Sequence, residues 1–139
     1  MVIRNFQAED TAQVVEVWRQ AGLVKHWNDP YKDIERKSKV GADLFLVIDL
    51  DGEVVATIMG GYEGHRGWIN YLAVSPRYTG RGYARALISE IEKRLLAIGC
   101  PKINLQVRKS NAEAISFYTH LGYLEDDSVG LGKRLIPDN

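Results

Sequence analysis

Apolar residues recur at helical spacing in three segments of the chain. The second segment runs from Ala84 to Ile98 and the third from Ala114 to Leu121, and a glycine closely follows the end of each. The first follows a capping-box pattern at residues 10–13 and carries Val14, Val17, Trp18 and Ala21 at positions i, i+3, i+4 and i+7. These patterns predict three amphipathic helices, the last opened by a second capping box at residues 110–113.

A fourth helix is predicted by its start signal rather than by an apolar face. Asp29 precedes Pro30, the order typical of an N-cap and a first helical position. Between there and about Lys39 the pattern offers few apolar residues beyond Tyr31 and Ile34. A helix this polar is expected to pack weakly.

Short apolar runs separated by turn residues predict the strands. Two of them, Leu44–Leu50 and Glu53–Met59, flank Asp51-Gly52, a pair that accepts the backbone angles of a hairpin turn. A glycine-rich connection is expected at residues 60–67. The other predicted strands are Val2–Asn5, Trp68–Val74, Lys102–Val107 and one or two closing strands within residues 123–136. This order of elements predicts the α/β class, with a mixed sheet and helices on both faces.

Length and charge narrow the functional classes. With 139 residues, 45% of them hydrophobic, the chain fits one domain over residues 1–139. Its 18 Lys and Arg balance 18 Asp and Glu, so no nucleic-acid or acidic-membrane partner is expected. The longest apolar run, residues 44–48, is too short to span a membrane, and the N-terminus lacks a signal-peptide pattern. A cytoplasmic protein is therefore expected.

Cysteine and histidine usage argues against a metal centre. Cys100 is the only cysteine, which excludes an internal disulfide and a cysteine-based zinc cluster. His26, His65 and His120 lie too far apart in the sequence to resemble a ligand pair. No metal is expected.

The most informative segment is residues 72–84, where a predicted strand runs through a glycine-rich turn into the longest predicted helix. The first backbone N–H groups of a helix lack intrahelical partners, and glycines let a phosphate approach them closely. Arg77, Arg81 and Arg85 add positive charge around the turn. An ordinary β–α connection, with glycine for tightness and arginine for solubility, is the alternative. Complete dinucleotide-binding and Walker motifs are absent.

These residues resemble the acetyl-CoA motif of the GNAT (Gcn5-related) N-acetyltransferases, written Q/R-x-x-G-x-G/A after a strand. Two registers compete. Arg77-x-x-Gly80-x-Gly82 matches the letters, whereas Thr79-x-x-Gly82-x-Ala84 has the family's usual distance from the strand valine, with threonine in place of glutamine or arginine. The later family motif is matched by Asn111, Phe117-Tyr118 and Leu121-Gly122-Tyr123.

The resemblance implies a single-domain GNAT fold with a mixed, mostly antiparallel sheet, and acetyl-CoA as cosubstrate. It assigns the strand end Leu72-Ala73-Val74, often bulged in the family, to the pantetheine and the thioester carbonyl. The other residues that the resemblance places at the cofactor are Arg77, Tyr78, Thr79, Gly80, Arg81, Gly82, Tyr83, Ala84, Arg85, Asn111 and Phe117.

Acetyl transfer also needs a proton for the departing thiolate and an unprotonated amine. Tyr118, seven residues after Asn111 on nearly the same helix face, is the candidate general acid, with packing beside Phe117 as the alternative. Some family members carry a base where Trp68 stands here, so Glu63 and His65 are the remaining candidates. Both also fit a solvated hairpin tip, and an amine that arrives neutral needs no strong base.

The acceptor is expected to be a primary amine, on a small molecule or on a protein or peptide. Carboxylates and aromatic faces suit a cationic amine. The candidates are Trp27, Asn28, Asp29 and Tyr31, together with Asp33 and Glu63, although capping and core cover explain some of them equally well. The alternatives in function are a non-catalytic acyl-CoA-binding sensor, favoured by Thr79 and Trp68, and a structural interaction domain. Because exposed sheet edges of small domains often pair with each other, a homodimer is an open alternative to a monomer.

Overall fold

The computed structural model describes residues 1–138. Its regular elements are β1 (Val2–Asn5), α1 (Thr11–Gln20), α2 (Pro30–Lys37), β2 (Phe45–Leu50), β3 (Glu53–Tyr62), β4 (Gly67–Val74), α3 (Tyr83–Ala97), β5 (Ile103–Leu105) and α4 (Ala112–His120). Short 3₁₀ turns lie at Ala8–Asp10, Ala42–Leu44 and Pro76–Tyr78. No helix among the described residues is long and apolar enough to cross a membrane.

The strands form one sheet in the order β1-β2-β3-β4-β5. The three pairings from β1 to β4 are antiparallel. Strands β4 and β5 are connected through α3, the crossover typical of parallel neighbours. Asp51 and Gly52 both take positive φ, as the predicted hairpin turn requires. The predicted mixed, mostly antiparallel α/β fold is confirmed.

Helices α1 and α3 cover opposite faces of this sheet. Phe45 and Val47 of β2 belong to the same core cluster as Trp18 of α1. The residues between and after them in β2, Leu46 and Ile48, are equally buried. Because successive side chains of a strand point to opposite faces, β2 is covered on both sides and the core has two halves.

The predicted connection at residues 60–67 is largely strand, which corrects the sequence interpretation. Gly60 to Tyr62 pair with Gly67 to Ile69, so only residues 63–66 form the connection. A Cβ on Gly60 would lie 2.7 Å from side-chain carbons of Ile91 in α3. One on Gly67 would lie 2.8 Å from Sγ of Cys100. These glycines permit close packing against the sheet rather than a turn.

Both predicted capping boxes also need correction. The chain enters α1 through a 3₁₀ turn, so Asp10 does not cap α1 with its side chain. Its carboxylate instead accepts hydrogen bonds from the Gln7 amide and the Arg4 guanidinium, and the latter holds the pKa of Asp10 below its usual range. In the second case the N-cap is Asn111, whose Oδ1 accepts a hydrogen bond from the amide of Ala114 at 3.1 Å.

The described chain divides into two compact units, residues 1–104 with 137–138, and residues 105–136. The predicted closing strands within residues 123–136 are wrong, since no strand forms there. Three consecutive acidic residues at 125–127, together with Gly130 and Gly132, give this segment a low strand propensity. The predicted strand at residues 102–107 is reduced to β5. The assignment of residues 1–139 to one domain stays a prediction.

Candidate functional site

The turn that leads from β4 into α3 has an open backbone. Gly80 and Gly82 take φ values of 79° and 81°, a region that favours glycine, and Gly82 is the N-cap of α3. No side chain caps this helix start. A Cβ built on either glycine would meet nothing within 4 Å. The first amide groups of α3 are therefore available to an anion that approaches from outside.

Side chains fix the entrance to this turn. The Tyr78 hydroxyl donates a hydrogen bond to Oε1 of Glu53 at 2.9 Å, which raises the pKa of Tyr78. The guanidinium carbons of Arg77 and Arg81 lie 5.5 and 5.0 Å from the centroid of the Tyr78 ring. Both cations are thus held beside the turn by cation–π contacts.

Thr79, the position where the family usually has glutamine or arginine, is exposed. Its hydroxyl donates a hydrogen bond to the carbonyl of Pro76 at 3.2 Å, within its own turn. Tyr83, Ala84 and Arg85 form the first turn of α3 beyond it. Both motif registers therefore lie in the continuous segment that runs from the 3₁₀ turn at Pro76–Tyr78 to the first turn of α3.

A β-bulge interrupts β4 four residues before this turn. Thr57 of β3 lies opposite Ala73, but Met59 lies opposite Asn70, so Tyr71 and Leu72 together face Ile58. A bulge of this kind leaves backbone groups outside the regular ladder. Tyr71 has a φ of 51°, which is rare for a residue with a side chain.

The bulge lies at the beginning of the predicted thioester-binding segment Leu72-Ala73-Val74. Only Leu72 belongs to it, because Ala73 and Val74 pair in register with Thr57 and Ala56. Tyr71 is not among the site residues predicted from the sequence, because its position in the pattern is that of an ordinary strand residue. No local signal identifies it, because its backbone angle depends on contacts with distant residues.

The Tyr71 side chain reaches the polar segment around the start of α2. Its hydroxyl donates a hydrogen bond to Oδ2 of Asp33 at 2.6 Å. Asn28 Nδ2 lies 3.4 Å from the same hydroxyl and 3.3 Å from the same carboxylate oxygen. Burial, and then the contact with Asp33, raise the pKa of Tyr71, so its hydroxyl stays protonated.

The remaining acceptor-site candidates lie around this cluster. Oδ1 of Asp29 accepts hydrogen bonds from the amides of Tyr31 and Lys32, so the predicted N-cap is confirmed and that oxygen has a structural role. Trp27 and Tyr31 are 45% and 54% exposed, which leaves their rings accessible. Asn28 and Asp33 are the predicted acceptor-site residues that contact Tyr71.

Glu63 and His65, the candidate bases, lie in the connection between β3 and β4. The Glu63 carboxylate accepts hydrogen bonds from the amides of Arg66 and His65, and these hold its pKa below the usual range. A carboxylate stabilised in this way is a weak base. The side chain of His65 is exposed.

The second unit carries the candidate general acid. Tyr118 packs edge to face with Phe117 and Tyr123, at centroid distances of 5.1 and 5.6 Å. Burial raises the pKa of Tyr118 to about 12, so its hydroxyl is a permanent hydrogen-bond donor at neutral pH. Asn111 uses its side chain as the N-cap of the same helix.

Comparison with known proteins shows the family of this chain. Residues 11–123 match the model of the Acetyltransferase (GNAT) family. The chain belongs to the GNAT acetyltransferase family. An acetyltransferase of Sodalis glossinidius is 55% identical over 139 residues, and one of Yersinia pestis is 50% identical over 138; each alignment covers 99% of this chain and 98% of the relative.

A solved GNAT structure shows the same fold. The PaiA N-acetyltransferase of Thermoplasma acidophilum, in complex with coenzyme A, superposes with a TM-score of 0.74 at 22% identity, covering 93% of this chain and 92% of that one. The family resemblance predicted from the sequence is confirmed, and the protein is an acetyltransferase. The family's acetyl donor is acetyl-CoA.

Proposed function

We propose that this GNAT protein transfers the acetyl group of acetyl-CoA to a primary amine of a small molecule, protein or peptide. In this proposal the pyrophosphate binds the turn at residues 79–84, and the thioester lies at the bulge of β4. One observation carries this proposal. A single strand–turn–helix unit has backbone groups outside the regular strand pairing at Tyr71–Leu72, and it also has an open helix start at Gly82 that no side chain caps.

The turn suits a pyrophosphate because its positive groups are the amides of α3 and the side chains of Arg77 and Arg81. Amide donors and the helix dipole attract anions without a particular side chain at position 79. This explains how Thr79 can stand where the family usually has a longer polar residue. Arg85, Asn111 and Phe117 remain proposed cofactor contacts on the basis of the family motif.

The bulge suits the carbonyl of a thioester. When the amine nitrogen attacks the acetyl carbon, the carbonyl oxygen becomes negative, and a fixed backbone N–H at Leu72 can stabilise that charge. The carbon–sulfur bond then breaks, the nitrogen loses a proton, and the thiolate gains one. The resemblance assigns this last donation to Tyr118. Because its pKa is higher than that of a thiol, hydrogen bonding to the sulfur must precede proton transfer.

The base and the acceptor site are proposed from chemistry. His65 fits the base better than Glu63, whose carboxylate is already held by two amides. A cationic or peptide amine would meet the exposed rings of Trp27 and Tyr31 and the carboxylate-rich start of α2. We also propose that the protein acts in the cytoplasm, without a nucleic-acid or membrane partner.

An acetyl-CoA-dependent amine screen tests the proposal. The panel contains polyamines, amino acids and short peptides, and mass spectrometry detects acetylated products. We expect at least one amide product whose formation depends on both acetyl-CoA and protein. The sensor alternative, favoured by Trp68 in place of a base, would show coenzyme A binding by calorimetry but no product from any amine.

A further inference from the structure

We propose that the hydrogen bond between Tyr71 and Asp33 is a positioning contact for acetyl transfer, because it fixes the β4 bulge from the side of α2. The inference rests on the proposed function, in which the thioester carbonyl lies at that bulge. Neither residue need touch the reacting atoms. Their role is to hold the backbone of Tyr71 and Leu72 in the conformation that receives the acetyl group.

The backbone of Tyr71 needs such support. A φ of 51° brings the Cβ close to the following carbonyl, so a residue with a side chain adopts it only where its surroundings determine it. Were the angle to relax to the extended region, Tyr71 would rejoin the ladder and the bulge would change. The amide of Leu72 belongs to the peptide unit that joins Tyr71 to Leu72, so its orientation depends directly on the backbone angles of Tyr71.

Buried contacts hold the backbone carbonyl and the ring of Tyr71. The Thr57 hydroxyl donates a hydrogen bond to the Tyr71 carbonyl at 2.9 Å and accepts one from Nε1 of Trp18 at 2.9 Å. The rings of Trp18 and Tyr71 stack with centroids 3.7 Å apart and planes 12° from parallel. Trp18 and Thr57 are fully buried, so this arrangement belongs to the core.

The far end of Tyr71 is held by α2. Asp33 accepts the hydroxyl hydrogen bond at 2.6 Å, and Arg36 in turn contacts Asp33 at 3.2 Å. Arg36 also pairs at 2.7 Å with Asp138, whose carboxylate accepts a hydrogen bond from the amide of Asp29. Both Asp29, the N-cap of α2, and Asp138 are thereby tied to the ion pair that holds Tyr71.

A substitution can remove the contacts of the Tyr71 hydroxyl while keeping those of its ring and backbone. Tyr71→Phe removes the hydroxyl but keeps the ring on Trp18 and the carbonyl bond to Thr57. The fold and the coenzyme A turn, which share neither of the lost contacts, should persist. What should change is the precision of the bulge, and a small misplacement of catalytic groups lowers turnover by roughly 10- to 100-fold.

The test measures kcat and coenzyme A affinity on the same variants. Thiol release from acetyl-CoA gives kcat, with the best amine of the screen at saturation, and calorimetry with coenzyme A gives Kd. For Tyr71→Phe we expect kcat to fall by roughly 10-fold or more while Kd changes less than about twofold. Asp33→Ala should match it, and the double variant should lose no more than either single one.

Two further variants separate positioning from folding. Asp33→Asn keeps an oxygen that can accept the Tyr71 hydroxyl and should recover part of the kcat lost in Asp33→Ala. Glu35→Ala, which removes an exposed carboxylate from the same helix, should retain wild-type kcat. Thermal melting monitors the fold of each variant.

The outcomes distinguish this inference from the function on which it rests. A wild-type protein that binds coenzyme A but releases no thiol with any amine overturns the proposed function and the positioning role together. A wild-type protein that turns over, with unchanged chemistry-limited kcat in Tyr71→Phe, overturns the positioning role alone. Additive losses in the double variant also contradict it, because they would show two independent effects.

Discussion

The bulge in β4 and the turn that follows this strand depart from regular backbone geometry by different means. In the turn, Gly80 and Gly82 supply the unusual angles themselves, and the space beside them is empty. At the bulge, Tyr71 takes a similarly unusual angle despite its side chain, because Thr57 and Trp18 hold it. The turn is therefore specified locally, whereas the bulge is specified by tertiary contacts.

Gly82→Asp should break the turn while sparing the bulge. The substitution adds negative charge beside the proposed pyrophosphate and a Cβ at a φ of 81°. We expect coenzyme A affinity in calorimetry to fall by roughly 100-fold or more, because charge repulsion and lost backbone geometry act together. Gly99→Asp is the control, since Gly99 has a φ of 89° at the other end of α3. Unchanged affinity in a folded Gly82→Asp protein would show that the turn is not the cofactor site.

Tyr118→Phe should affect transfer without affecting either backbone site. We expect kcat with saturating amine to fall by about 10-fold or more, up to about 10⁴-fold, with little change in acetyl-CoA affinity. Because the pKa of Tyr118 is about 12, its acid form persists at lower pH, and the group contributes no alkaline loss of activity near neutrality. Full turnover in the variant, with chemistry rate-limiting, would make Tyr118 a packing residue.

Thr57→Val should weaken the bulge from the core side. The variant keeps the volume of the side chain but removes the bond to the Tyr71 carbonyl and leaves the Trp18 indole N–H unsatisfied. We expect the free energy of unfolding to fall by about 1 to 3 kcal/mol in denaturant titration. Thr119→Val, which removes an exposed hydroxyl bonded within α4, is the control. Equal stability of both variants would mean that the buried hydroxyl does not support the bulge.

Features that depend on local residue types could be predicted from the sequence, whereas features that depend on tertiary contacts could not. Three local features could be predicted because the backbone angles they require suit the residue types present: the hairpin turn at Asp51-Gly52, the helix start at Asp29-Pro30 and the glycine turn at residues 80–82. Gly60 lies in a strand rather than in the predicted connection, and its need for glycine comes from Ile91, which is distant in sequence. The family resemblance implies a bulge at the strand end 72–74, but its position at Tyr71 and Leu72 depends on side chains from three separate segments and follows from the structure.

Thr79→Arg should add a side-chain contact to a turn that otherwise offers backbone groups to the pyrophosphate. A guanidinium at this position would tighten coenzyme A by about 1 to 2 kcal/mol, the value of one charge-assisted hydrogen bond. Calorimetry with coenzyme A and with pantetheine, which lacks the pyrophosphate, separates the two ends of the ligand. An equal gain for pantetheine would show that position 79 does not face the pyrophosphate.

A crystal structure with a non-hydrolysable thioether analogue of acetyl-CoA would locate both proposed contacts in one molecule. We expect pyrophosphate oxygens about 2.7 to 3.2 Å from backbone nitrogens of residues 80–84. In the same molecule, the acyl oxygen should lie at a similar distance from the backbone nitrogen of Leu72, with Tyr71 still bound to Asp33. An analogue bound with its pyrophosphate away from this turn, or with its acyl group away from the bulge, would show that the proposed binding mode is wrong.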